Sequence, residues 1–278
     1  MVNDAELPSF KHPPVGEVAL GVQFEDLDGL DARHVGTIAN AFSPRFPVYS
    51  AQGLINPQIE RFDGLPTGVQ FGFTMVAPPV FPRLWLMTHD GTQLVQIQRD
   101  RLMHNWRRTT PGTTYPRYAA LREQFREDWR LVAGIAADVD GSELRTTQCE
   151  VTYANLIEQE GPADRCAYPS DIFSFLGNST LNAVDSSFEN VTYSRSSIVA
   201  SKNSAAPARG RFYIELGTGV SNPTGARVFQ LSLTVRGAPQ AAGLDGALAF
   251  CDFAHEVIVR SFAELTTPKM HEKWERQT

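Results

Sequence analysis

Apolar and polar positions alternate with a period of two over residues 15–24, 83–88, 93–106, 148–157, 191–200, 211–216 and 227–236, which predicts strands. Residues 53–62 and 69–76 read as further strands by the same pattern. Asp90-Gly91 between two such runs predicts a hairpin. A period near 3.6 takes over elsewhere. Leu30, Val35, Ile38 and Phe42 mark one face of a helix that Asp28 or Asp31 can cap, closed by Pro44. Tyr118, Leu121, Phe125, Trp129, Val132 and Ala136 mark the buried stripe of a long helix opening near Pro116. A short helix is predicted over 170–176. Leu244, Leu248, Cys251, His255, Ile258, Phe262 and Leu265 mark a second long helix whose stripe has one polar interruption.

The order strand, helix, strands, long helix therefore occurs twice. It predicts an α+β fold of two similar halves, residues 14–138 and 147–266, with a C-terminal extension over 267–278. Each half is expected to be a curved antiparallel sheet packed on its own long helix, TBP-like or helix-grip-like. The repetition is one of architecture, because the halves barely match in sequence. Residues 201–210 read as a long hairpin loop.

Composition changes this picture little. With 278 residues and 42% hydrophobic content, the chain can bury a real core. A net charge of −6 argues against a surface that wraps nucleic acid as a whole. The opening residues have no cationic or apolar leader, and the longest clean apolar stretch, 131–137, is too short to span a bilayer. A cytoplasmic location is expected, and with it reduced thiols at Cys149, Cys166 and Cys251, which have no CxxC spacing. No metal and no cofactor are expected. The Asn178 and Asn190 sequons carry no weight in a cytosolic chain.

Charge is uneven. From residue 83 to 130 there are nine Arg against five acids, in a chain that is acidic overall. If 93–106 is one strand, Ile97, Arg99, Arg101, Met103, Asn105 and Arg107 share a face, and Gln96, Gln98, Leu102, His104 and Trp106 share the other. Guanidinium groups in a row suit bidentate capture of carboxylate or phosphate. The competing reading is a solvated strand whose Arg–Asp pairs are worth little. His255 is either a buried, hydrogen-bonded core histidine or a pocket residue, and HExxH zinc spacing is absent. The glycine-rich stretch 217–225 lies between strands and reads as a hairpin loop. No GxSxG elbow is present.

The expected site residues are Arg99, Arg101, Asn105, Arg107, Trp106 and His255, and none is assigned a catalytic role. Trp129 is a second source of apolar contact area. The leading expectation is a non-enzymatic binding protein that takes an acidic small molecule or protein partner. One alternative is RNA or single-stranded nucleic acid stacked on Trp106 or Tyr115. Another is an enzyme using His255 or His104 as a base beside a bound anion. No membrane contact is expected.

Several motifs carry a resemblance: residues 13–24 (PPVGEVALGVQF), RLWL at 83–86, LVQIQRDRLMHNWR at 94–107, YPRY at 115–118, CEVTYAN at 149–155, and the His-Glu pairs at 255 and 271. Together they resemble a sporadically distributed bacterial family with no established reaction, over nearly the whole chain. Such a distribution implies an accessory role, such as an antitoxin-like component of a mobile or defence system.

Overall fold

A computed structural model describes residues 7–62, 81–159, 169–177, 190–200, 208–220 and 225–278. The strands are β1 (Val15–Phe24), β2 (Val48–Gln52), β3 (Arg83–Met87), β4 (Gln93–Gln98), β5 (Arg101–Arg107), β6 (Thr146–Glu158), β7 (Thr192–Val199), β8 (Gly210–Val220) and β9 (Arg227–Gly237). The helices are α1 (Val35–Phe42), α2 (Tyr118–Asp140), α3 (Pro169–Ile172), α4 (Gly243–Leu265) and α5 (Pro268–Lys273). All nine strands form one antiparallel sheet in the order β2-β3-β4-β5-β1-β6-β9-β8-β7.

The expectation of two halves, each a sheet on its own long helix, is overturned by this single sheet. β1 pairs with β6 from Val15↔Asn155 to Phe24↔Thr146, so the sheet runs unbroken through its centre. The physical reason lies in the backbone. A free edge on β1 would leave a row of amide and carbonyl groups unpaired beside a buried apolar face. Joining the two inner strands removes that edge. The even positions of β1, Val18, Leu20, Val22 and Phe24, are buried together with Val151, Tyr153, Leu231 and Leu233. Both α2 and α4 cover this one face, α2 over β5 and β1, α4 over β6 and β9, and they touch each other. Each buried Leu, Ile or Phe of their stripes contributes about 1.5–3 kcal/mol.

Two local predictions also need correction. Residues 53–62 are not a strand. They cross the helix-free face of the sheet as an extended strap. The Gln98 side chain accepts from Ile55 N, Gln23 from Gln58 N and Gln148 from Glu60 N. From Gln98 on β4 to Arg211 on β8, which bonds Arg61 O, are five strand spacings, about 24 Å, which the seven extended residues 55–61 reach. Nor is 93–106 one strand, because a turn at Arg99-Asp100 separates β4 from β5. Ile97 is consequently in the core while Arg101, which the expected alternation put on the same face, lies on the opposite one. The predicted strand over 69–76 and the segment 201–207 lie outside the described residues.

Asp31 caps the 3-10 turn preceding α1, accepting from Arg33 N while His34 answers Asp31 N. The N-terminal segment is tied to the C-terminal one by Lys11 N to Glu275 O, His12 N to Trp274 O and Gln277 N to Ser9 O. This clasp lies beside α4, with Phe10 packed edge-on against Phe262 and Trp274.

Candidate functional site

Beneath the clasp is a cavity of about 350 Å³. Its floor is the centre of the sheet, where Val15, Tyr153 and Asn155 face the helices. A register shift between Val15 and Glu17 turns Val15 to that side. Phe10, Ile258 and Phe262 supply apolar walls, and Tyr118 and His255 come from α2 and α4. A largely apolar hollow with few polar groups is the ordinary make-up of a small-molecule pocket.

The polar groups are connected. The Tyr115 and Tyr153 hydroxyls are 3.1 Å apart, and the Tyr153 hydroxyl is 2.8 Å from His255 Nδ1. Tyr118 stacks on the imidazole with centroids 3.9 Å apart and planes 7° from parallel. With Nδ1 taken by Tyr153, Nε2 is the ring nitrogen left for an occupant. If the hydroxyl chain donates toward His255, Nε2 carries the proton and donates. If it runs the other way, Nε2 accepts. One residue can thus serve either kind of partner while remaining neutral.

Burial holds the His255 imidazole neutral, pushing its pKa from 6.5 down to about 4 against the opposing pull of Asp252. The sign of the pH effect follows. Above pH 6.5 the ring is neutral in folded and unfolded chains alike, and no stability is lost. Between pH 6.5 and 4 the unfolded chain binds the proton and the folded one does not, so stability falls by about 2–3 kcal/mol. Urea unfolding at pH 7 and pH 4.5 is expected to show this loss in the native protein and a smaller one in His255→Leu. Equal losses in both would remove His255 as the cause.

Arg117 stands at the mouth. It is the residue before the first turn of α2, with φ 71° and ψ 158°, a region essentially reserved for glycine. Pro116 before it and the buried Tyr118 after it fix the chain on both sides. Its Nη1 donates to Phe10 O at 3.0 Å, which ties the cavity mouth to the clasp. The guanidinium lies over the Tyr115 ring at 5.9 Å and has no carboxylate within ion-pair distance among the described residues. Strained backbone of this kind costs on the order of 1–3 kcal/mol and persists where surrounding structure over-determines it.

The six residues expected to form a site are divided between the two faces of the sheet. Arg101, Asn105 and Arg107 do share the helix-free face, with Met103. Arg101 is buried beneath the strap, donating to Gln23 and Asn56 O, and burial lowers its pKa. Asn105 donates to Glu17 and accepts from Gln96. Arg107 donates to Gly91 O and lies over Trp85. Arg99 is in the β4–β5 turn, paired with Asp26 at 2.6 Å and with Asp28. Trp106 is on the helix face, its ring 5.2 Å from that of Tyr115, and Trp129 is buried further along α2. The Arg row and Trp106 therefore belong to opposite faces, and of the six only His255 lines the cavity.

His104 is also spoken for. It is fully buried, with Nδ1 2.6 Å from the equally buried Asp128. The helix-free face carries a second ionic cluster, in which Glu60 of the strap accepts from Arg211 at 2.8 Å, Tyr213 at 2.5 Å and Arg236 at 3.2 Å. Desolvation first, and then the bond to Glu60, push Tyr213 up to about 12.

Arg117, Tyr153 and Asn155 were not among the expected site residues, and Tyr115 was named only as a stacking surface for nucleic acid. A signal was present for two of them: Tyr153 and Asn155 put polar tips at core-facing positions of an otherwise apolar strand. Arg117 left none, because its backbone conformation is a tertiary outcome. Among the described residues, no group of three or more His, Cys, Asp or Glu could hold a metal ion, and no helix is long and apolar enough to cross a membrane. No family model matches the chain, and no match was found among curated proteins or solved structures. The resemblance to a sporadic bacterial family rests on the quoted motifs alone.

Proposed function

We propose that this chain is a binding protein for a small anionic amphiphile, whose apolar body fills the cavity between α2, α4 and the sheet centre. The observation that carries the reading is Arg117. A strained residue holds a guanidinium, with no carboxylate within ion-pair distance among the described residues, at the rim of an apolar hollow. The negative group of the ligand meets Arg117, and His255 Nε2 takes a polar atom along its length. This keeps the acidic-ligand class and moves its site from the sheet's helix-free face to its helix face. The buried free thiols Cys149 and Cys251 suit a reducing compartment, in support of a cytoplasmic location.

Calorimetric titration with octanoate and with octanamide tests the reading. Octanoate is expected to bind at least tenfold more tightly, about 1.4 kcal/mol. Arg117→Gln is expected to bring octanoate to the level of the amide, with the thermal melt as a check on folding. Equal affinities for acid and amide, or no binding of either, would overturn it.

A further inference from the structure

Beside the cavity lies a larger groove of about 940 Å³, and the two share Pro13, Tyr115 and Arg117 as common lining. The groove runs under the β5–α2 loop, residues 108–117, which carries four threonines between Arg108 and Arg117. Lys11, His12 and Lys273 also line it, and Glu158 is the one carboxylate among its described lining residues. Lys11 and His12 are answered from outside the lining by Glu275, at 2.9 and 3.3 Å.

Among the described residues, neither Arg108 nor Arg117 has a carboxylate within ion-pair distance. Arg45, Arg99, Arg122, Arg211 and Arg236 each meet a carboxylate. The Arg108 Nη2 donates to Pro13 O at 3.2 Å, and its Nε is buried without a hydrogen-bond partner. Burial lowers its pKa, with Glu158 opposing at longer range. Partly desolvated, and beside threonine hydroxyls and Arg117, the Arg108 guanidinium can present its Nη donors to an anion with several acceptor oxygens.

Resting on the cavity reading above, we infer that the ligand is an apolar acyl group carried on a phosphorylated head group. The acyl group occupies the His255 cavity. The phosphate is the negative group that meets Arg117, and its remaining oxygens take the Arg108 Nη donors in the groove. A soluble carrier and a lysolipid share this chemistry.

Four probes separate the possibilities in titration calorimetry: octanoate, octanoyl-coenzyme A, octanoyl lysophosphatidate and coenzyme A alone. At least one head-linked octanoyl compound is expected to bind tenfold or more tightly than octanoate at low salt. That gain is expected to disappear in Arg108→Gln, to persist in part in Arg108→Lys, and to shrink at high salt, while octanoate binding is unchanged. Gain with both carriers means that the groove reads the phosphate itself, and gain with one assigns the source. If octanoate binds but neither head group adds affinity, or Arg108→Gln leaves the gain intact, this inference is wrong and the cavity reading stands. If octanoate and both conjugates fail to bind, the cavity reading falls with it.

Discussion

Replacing Asp128 with alanine is expected to destabilise the fold by about 3–5 kcal/mol, the usual loss when one partner of a buried ion pair is removed. Asp128 is fully buried on α2, although its place in the helix stripe would suit an apolar residue. One carboxylate oxygen faces His104 Nδ1 at 2.6 Å, and the other receives Arg45 from the turn after α1. Glu127 holds the same guanidinium from the solvent side at 2.8 Å. The carboxylate therefore joins β5, α2 and the α1 turn at one point. His104 has nothing to fall back on, since its Nε2 is already buried without a partner. Asp128→Asn retains the volume and removes the charge, and Arg45→Met in that background should cost less than in the native chain, because only the half-exposed Glu127 then pairs with the guanidinium. Urea unfolding measures each step. A loss under about 1 kcal/mol for Asp128→Ala would mean that the network is not supporting the helix.

Glu60→Ala is expected to cost about 3 kcal/mol and to act on the strap first. The Glu60 side chain is only 2% exposed and answers Arg211, Arg236 and Tyr213. Arg236 keeps Glu150 after the substitution, so the cost falls mainly on Arg211. The strap amides of Ile55, Gln58 and Glu60 are bonded to side chains of the sheet and to no backbone ladder. Their hydrogen exchange should rise in the variant by a larger factor than that of the β1 and β6 amides. Uniform acceleration would show that Glu60 supports the whole fold and is no latch for the strap.

Much of the chain order is legible from periodicity. The strands over 15–24, 148–157 and 227–236 and the stripes of the two long helices coincide with observed elements, since both patterns arise from one residue's relation to its near neighbours. His255 was visible as the polar break in the α4 stripe, and it does line the cavity. The Arg row was visible as composition, but its use was not. Arg99 is answered by Asp26, 73 positions away, and Arg211 by Glu60, 151 positions away. A two-residue turn at Arg99-Asp100 was enough to reverse the assumed face of Ile97.

The sequence by itself determined where most strands and both long helices lie, which face of each long helix is apolar, and that His255 is the one polar residue in the stripe of α4. Tertiary structure alone decided that β1 and β6 join edge to edge, that both long helices share one face, and that residues 53–62 cross the other. It also decided that Arg117 stands in a strained conformation at a cavity mouth. The division has a physical cause. Periodicity records how a segment divides between water and core, whereas strand partners, ion-pair partners and cavities depend on which distant segments satisfy each other's backbone groups and charges.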